Sequence, residues 1–295
     1  MKFAAVDIGS NAIRLLIQET RSTIKGEALE KVAITRVPVR LGADTFSTGA
    51  ISDTRQEQLK KALMAFRYLM ELYEVDQFRA CATSALREAN NNAQIVERLY
   101  NETGINVEIL SGDEEAELIF KNFYDSGISA LQNALFVDVG GGSTELTLIV
   151  NGERKMSKSF QLGTVRMLTQ ANHSDAWCEV EQWIKAEINT SEKLVAIGTG
   201  GNINTLFKLQ GKKANEKISW RNIKFQYETI KALSYEQRIS QLKLKPDRAD
   251  VIVPACEIYL RIMEMASIEE MVVPKIGLAD GIIIDLCERW KKMAD

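Results

Sequence analysis

Histidine is nearly absent: His173 is the only one in 295 residues. A Ser-His-Asp or Cys-His centre would have to be built on it, and multi-histidine metal sites are excluded. His173 lies in the polar stretch "QANHSDAW", which reads as a loop before a helix and assigns it a solvent role. Cysteine is scarce too. The four, at 81, 178, 256 and 287, form no C-x-x-C and no regular spacing, so they read as reduced, mostly buried thiols of a cytoplasmic protein. No run approaches the length of about 18 apolar residues that a transmembrane helix needs. The first apolar run is interrupted by Asp7 and no small-residue cleavage site follows, which argues against a signal peptide. A basic surplus is lacking as well: the net charge is −3, and a general nucleic-acid coat needs the opposite sign. No segment is of low complexity. Any chemistry must therefore rest on carboxylates, basic side chains and backbone amides.

What is present is enough for a folded, soluble chain. It is 45% hydrophobic and 26% charged, and its length fits one large domain or two ordinary ones. Two stretches stand out, "AAVDIGSNAIRLLIQ" (4–18) and "LFVDVGGGSTELTLIV" (135–150). Sliding one onto the other by 131 positions superposes Asp7 on Asp138, Gly9 on Gly140 and Leu15 on Leu146. Each is a strand, an Asp, a glycine turn and a second strand. Glycine lacks Cβ, so successive N–H groups can approach one anion closely. Around Gly140, Gly141 and Gly142, Ser143 and Thr144 add hydroxyl donors, and Asp138 is a hard oxygen ligand suited to Mg²⁺. One such turn could be a plain glycine-rich hairpin; two related turns, each preceded by Asp, tell against that. A third element, "AIGTGGNINTLF" (196–207), reads as strand, turn at Gly200 and Gly201, then helix, which is an anion site at a helix N-terminus. Together the three suggest a site for several phosphates. They match neither a Walker A loop nor a G-x-G-x-x-G fingerprint.

Along the chain, strands are expected at 2–8, 13–19, 78–83, 107–110, 134–139, 144–150 and 153–160, and in "KLVAIG" and "EMVVPK". Asn151-Gly152 reads as a hairpin turn. Helices are expected at 53–74, with Ser52 or Asp53 as cap, at 91–103 before Gly104, and at about 113–123, 163–171 and 175–188. Others begin near 201 and span 278–293, and 247–266 reads as one long helix kinked at Pro254. The segment 208–224 reads as a basic loop. The alternation predicts an α/β fold with mixed sheets. The repeat predicts two similar domains, 1–124 and 125–295, meeting around 124–133, with the C-terminal helix 282–295 able to pack back onto the first.

The motifs "VDIGSN", "ATSALREAN", "SGDEEAELIF", "VDVGGGSTEL", "IGTGG" and "DRADVIVPA" occur in the order found in the exopolyphosphatase and guanosine pentaphosphate phosphatase family, and the chain resembles it from about residue 4 to 285. The resemblance implies two actin-like (ribonuclease H-like) domains with the active site in a cleft between them. It implies Mg²⁺ dependence, with Mn²⁺ as a substitute, and stepwise release of terminal phosphate from inorganic polyphosphate or, as the alternative, from pppGpp. It also implies a cytoplasmic homodimer with no nucleic-acid or membrane partner. Longer members carry a further His-Asp type domain, so this chain looks like the short, two-domain form.

The same resemblance implies residue roles. Glu115 matches the general base that activates the attacking water, and Arg87 matches a phosphate-clamping arginine. Asp138 and Glu145 match carboxylates that hold Mg²⁺ or position the water, with Asp7 as a further metal contact. Ser10, Asn11 and Arg14 belong to the first phosphate turn, and Arg166 and Arg248 are secondary phosphate contacts. Guanidinium binds phosphate through two parallel hydrogen bonds, which Lys cannot do. Asp113 and Glu114 read instead as an acidic first turn that suits the helix dipole. Two departures are visible: Ala12 replaces a hydroxyl residue after "GSN", and "LADG" (278–281) replaces "LREG". A sugar-kinase-like ATPase and a non-catalytic polyphosphate or ppGpp sensor are the readings from other classes. Polyphosphate is preferred because Lys208, Lys212, Lys213, Lys217, Arg221 and Lys224 could form a track for a polymer, although a solvated loop explains them equally.

Overall fold

The computed structural model describes residues 1–23, 26–125, 128, 131–188 and 193–294. It divides into two compact units, Met1–Asn122 with Gly277–Asp295, and Phe123–Ile276. Residues 126, 127, 129 and 130, within the expected junction at 124–133, lie outside the described residues.

The first unit opens with a meander of β1 (Lys2–Ile8), β2 (Ile13–Thr23) and β3 (Gly26–Val37). Helices α1 (Leu41–Thr48) and α2 (Asp53–Leu72) follow, then β4 (Gln77–Ala82), α3 (Ser84–Glu88), α4 (Asn92–Thr103), β5 (Val107–Ile109) and α5 (Gly112–Asp125). The sheet order is β3-β2-β1-β4-β5. β1 runs antiparallel to β2 and parallel to β4. Covered on both faces, β1 shows no polar alternation: Phe3 to Val6 and Ile8 are fully buried. Ser52 caps α2 by accepting from Arg55 N, and Leu59, Leu63, Phe66 and Met70 recur at helical spacing on its buried face.

The second unit repeats the plan with β6 (Ala134–Val139), β7 (Thr144–Val150), β8 (Glu153–Phe160), α6 (Thr164–Thr169), α7 (Ser174–Glu187), β9 (Val195–Thr199) and α8 (Gly201–Leu209). It continues through β10 (Lys217–Ser219), α9 (Trp220–Lys231), α10 (Tyr235–Ser240), α11 (Pro246–Ala249), α12 (Ile252–Met265) and β11 (Glu270–Val272). The sheet order is β10-β11-β9-β6-β7-β8. Read from the meander outward, both sheets run third, second, first strand, then two parallel strands, and the second adds β10 at its edge. This is the doubled topology of an actin-like α/β fold. Asn151 and Gly152 both have φ in the left-handed region, 54° and 78°, as a two-residue hairpin of this hand requires.

The last helix, α13 (Leu278–Ala294), belongs to the first unit. It lies against β1, β2 and β4, with Trp290 edge-on to Phe3 at 6.4 Å. Arg79 and Lys121 both pair with Asp285 at 2.9 Å. The "LADG" segment is structural here: Asp280 pairs with Lys31 at 2.7 Å and accepts from Gly277 N at 3.1 Å. A Cβ on Gly281 would lie 1.8 Å from the carbonyl oxygen of Leu118, so α13 and α5 can cross this closely only over a glycine.

Three expectations need correction. The segment 26–37 is a full strand, β3, which no sequence pattern announced. The basic stretch 208–224 is not a loop throughout: it contains β10 and the start of α9. The helix expected over 247–266 is two helices, and the break falls at Asp250–Val251 rather than at Pro254. Pro254 is the third residue of α12, in the first turn, where its missing N–H removes no helical bond. Cys81, Cys256 and Cys287 are buried and Cys178 is exposed, all four as free thiols. No helix among the described residues is long and apolar enough to cross a membrane.

Candidate active site

The 131-residue repeat persists in three dimensions as strand register. Asp7 stands opposite Arg14 across β1 and β2, and Asp138 stands opposite Glu145 across β6 and β7. Each turn is closed by its first glycine: Gly9 N donates to Ala12 O at 3.2 Å and Gly140 N to Ser143 O at 3.0 Å. The turn carbonyls are then taken by the chain that follows the third strand. Ser10 O accepts from Gly42 N at 2.8 Å and Asn11 O from Arg40 N at 3.1 Å. In the second unit Gly140 O accepts from Thr164 N at 3.1 Å, and Gly141 O from Val165 N at 2.7 Å and Arg166 N at 3.1 Å. Arg166 Nε donates to Gly142 O at 2.7 Å. With these carbonyls committed, what each turn presents is its N–H groups, the anion-binding half of the peptide. The contact is close enough to specify glycine at 163, where a Cβ would lie 2.4 Å from Gly142 C and 2.6 Å from Gly141 C.

The two hairpins differ in charge. In the first, Arg14 Nη1 lies 3.0 Å from Asp7 Oδ2. Burial pushes the Asp7 carboxyl above its ordinary range, and Arg14 opposes that shift. In the second, two buried carboxylates face one another. Thr199 Oγ1 donates to Asp138 Oδ1 at 2.5 Å, and Ser159 Oγ donates to Glu145 Oε1 at 2.7 Å. Tyr259, fully buried on α12, donates its hydroxyl to the carbonyl of Thr199. Among the described residues no group of three or more His, Cys, Asp or Glu is placed to hold a metal. The donor set at Asp138 and Glu145 is all hard oxygen, and two carboxylates suit Mg²⁺, which keeps several waters and takes substrate phosphate as a ligand.

Glu115 belongs to the first unit, in α5, and is 7% exposed. Its neighbours in sequence are occupied otherwise. Glu114 Oε2 accepts from Ser111 N at 2.7 Å and from Ser111 Oγ at 2.8 Å, and Glu114 N donates to Ser111 Oγ at 3.2 Å, a reciprocal helix cap. The Ser111 amide holds the Glu114 carboxyl below its ordinary range. Arg87, from α3, reaches Glu115 Oε2 at 3.4 Å and anchors on Leu110 O at 2.7 Å.

The remaining candidates separate into two kinds. Gly200, at φ 97°, and Gly201 turn the chain from β9 into α8. A Cβ on Gly201 would lie 2.1 Å from Arg248 Nη2, so this guanidinium rests against the helix start; its Nη1 donates to Asn202 Oδ1 at 2.8 Å. By contrast, the buried Thr144 donates its hydroxyl to Leu162 O, and Arg166 is buried against the turn's own carbonyl. Thr144, expected as a phosphate donor, is thus a strut of the hairpin. Ser10 Oγ shares a hydrogen bond with Ser84 Oγ at 2.9 Å, and Ser143 is buried at the end of its turn. Ala12 is buried, with its carbonyl in the hairpin bond.

Sequence reasoning missed Thr199, Ser159, Tyr259 and the turn-covering residues Arg40, Gly42 and Gly163. One signal could have found the glycines: a Leu-Gly pair follows the third strand in both halves, at 41–42 and 162–163.

The chain resembles known proteins in sequence and in fold. The sequence pattern of the Ppx/GppA phosphatase family matches residues 20–290. Exopolyphosphatase 2 of Mycobacterium tuberculosis is 27% identical over 97% of this chain and 98% of its own length. The guanosine-5′-triphosphate,3′-diphosphate pyrophosphatase of Vibrio cholerae is 25% identical over 97% of this chain and 59% of its own length. Against such longer relatives the chain spans about half of their length, 46% and 59% in two cases. Among solved structures, an exopolyphosphatase-like protein superposes with a TM-score of 0.84 at 25% identity, covering 98% of both chains. The chain belongs to the Ppx/GppA phosphatase family.

Proposed function

We propose that the protein is a divalent-metal-dependent phosphoanhydride hydrolase that releases terminal phosphate from inorganic polyphosphate. The observation that carries this reading is the second hairpin, where two buried carboxylates, Asp138 and Glu145, pair across the strands beside a turn whose carbonyls are all occupied. Such a hairpin binds phosphoryl oxygens through amides and a hard cation through carboxylates. Glu115 is the general base: it is buried, while Glu114 is engaged in capping the helix. It takes the proton of the attacking water. Arg87, Arg14 and Arg248 bind phosphoryl oxygens. Asp138 and Glu145 would hold Mg²⁺, which when bound neutralises charge on the transferred phosphoryl group.

The pppGpp alternative keeps its place because the Vibrio cholerae relative is named for that class of substrate. Polyphosphate is preferred because the likeness to the mycobacterial exopolyphosphatase spans 98% of that protein. The basic residues give less support. Lys217 pairs with Glu270 at 2.7 Å, Lys212 with Glu216 at 3.9 Å, and Lys224 lies over the Trp220 ring at 4.7 Å. Cytoplasmic location and a homodimer belong to the same proposal, and sedimentation velocity checks the dimer.

The experiment is phosphate release, with Mg²⁺ and no second acceptor, from polyphosphates of several lengths and from pppGpp. Turnover on polyphosphate at a higher kcat/KM than on pppGpp is expected. EDTA should abolish release and Mg²⁺ or Mn²⁺ should restore it. Activity that survives exhaustive chelation removes the metal from the proposal. Failure to release phosphate without an acceptor returns the kinase and sensor readings.

A further inference from the structure

The repeat can be followed across four strands, and the two rows differ. In the first unit the row reads Cys81, Asp7, Arg14, Arg36. In the second it reads Thr199, Asp138, Glu145, Ser159. Only the aspartate is shared. Counting ionised side chains, one carboxylate and two guanidiniums give the first row a net +1, and two carboxylates give the second −2. Cys81 does not alter this, since burial pushes its thiol up to about 12 and keeps it neutral.

We propose that Arg14, supported by Arg36, is a specificity-determining residue that keeps divalent metal out of the first hairpin and makes that turn a bare phosphate subsite, so that the chain carries its hairpin cation in the second unit only. The inference rests on the metal reading given above and extends it.

The physical argument concerns what surrounds each aspartate. Asp138 accepts from the hydroxyl of Thr199, and its cross-strand partner Glu145 accepts from the hydroxyl of Ser159, so within this row both carboxylates are oriented by neutral donors. Asp7 is held instead by a guanidinium at 3.0 Å, and Arg36 stands opposite Arg14 on the next strand. A divalent ion entering there would have to displace Arg14 from Asp7 and remain beside two positive charges. A phosphate oxygen faces no such opposition, because guanidinium is a planar phosphate donor.

The test uses the full chain stripped of metal and titrated with Mn²⁺, read by calorimetric stoichiometry and by the electron paramagnetic resonance signal of bound Mn²⁺. The wild type should bind one ion at the hairpins, and Asp7→Asn should leave that number unchanged. Glu145→Arg should abolish it. The double variant Arg14→Glu with Arg36→Ser should bind two. A wild type that binds two ions, one of them lost in Asp7→Asn, overturns the proposal. So does a double variant with the wild-type circular dichroism spectrum that still binds one. Should the double variant not fold, the Asp7→Asn stoichiometry decides alone. The metal reading fails separately, through a wild type that binds none or an Asp138→Asn variant that keeps its ion.

Discussion

Glu115→Gln should lower kcat by about 10²–10⁴-fold, the usual cost of losing a general base, while leaving substrate binding nearly unchanged. Gln is close to isosteric with Glu and is tolerated in a helix, so α5 should keep its place. The amide can still accept a hydrogen bond from water but cannot take its proton. Removing a negative charge from an anion site should tighten binding if it changes it at all. Glu114→Gln is the internal control. Glu114 caps Ser111, and Gln serves the same capping position, so this variant should keep near wild-type kcat. Steady-state kinetics with an independent binding titration separate the two. A Glu115→Gln enzyme with wild-type turnover, or a Glu114→Gln enzyme without any, overturns the assignment of the base.

The second large effect is expected at Gly163, a residue that holds no ligand. An alanine Cβ would lie 2.4–2.6 Å from the backbone of Gly141 and Gly142, atoms that no rotamer change can move aside. The start of α6 would be lifted from the turn, and Thr164, Val165 and Arg166 would lose their bonds to its carbonyls. Overpacking of this kind costs about 1–3 kcal/mol, which for a chain of this size lowers Tm by roughly 2–4 °C per kcal/mol. The functional loss should exceed the loss in stability. Carbonyls released from α6 would turn toward the oxygens they are meant to avoid, so phosphate affinity should fall along with kcat. Differential scanning calorimetry and a phosphate-analogue titration on Gly163→Ala measure both. Wild-type affinity in a protein that melts several degrees lower would separate the turn's amides from the function.

How much of this was legible in the chain depends on where each residue's reason lies. The second meander was readable because Asn151-Gly152 forces a turn and the flanking runs are apolar. β3 was not, because it is an edge strand whose Glu30, Lys31, Val32 and Ile34 are exposed, and its strand character comes from pairing with β2 rather than from its own pattern. The break at Asp250–Val251 was hidden because no glycine or proline stands there, and Pro254 drew attention to the wrong residue. At the site, Asp138 and the glycines could be read because turn chemistry is local. Tyr259 could not: it is 60 residues from Thr199, and nothing in "EIYLRI" distinguishes a tyrosine that braces a site from one that fills a core. The opposite charges of the two rows were visible as letters, but register was needed to show that Arg36 and Ser159 are equivalent.

The discontinuity of the first unit has a consequence for synthesis. A ribosome delivers residues 1–122 before the second unit, yet the sheet they form is covered by α13, which follows the whole of that second unit. Until Leu278–Ala294 emerges, Asp285 cannot meet Arg79 and Trp290 cannot meet Phe3, so apolar surface on β1 waits in the open. The second unit is one unbroken stretch and has no such wait. The order of maturation should therefore invert the order of translation: the half made second closes first, and the half made first is finished by a helix that follows it.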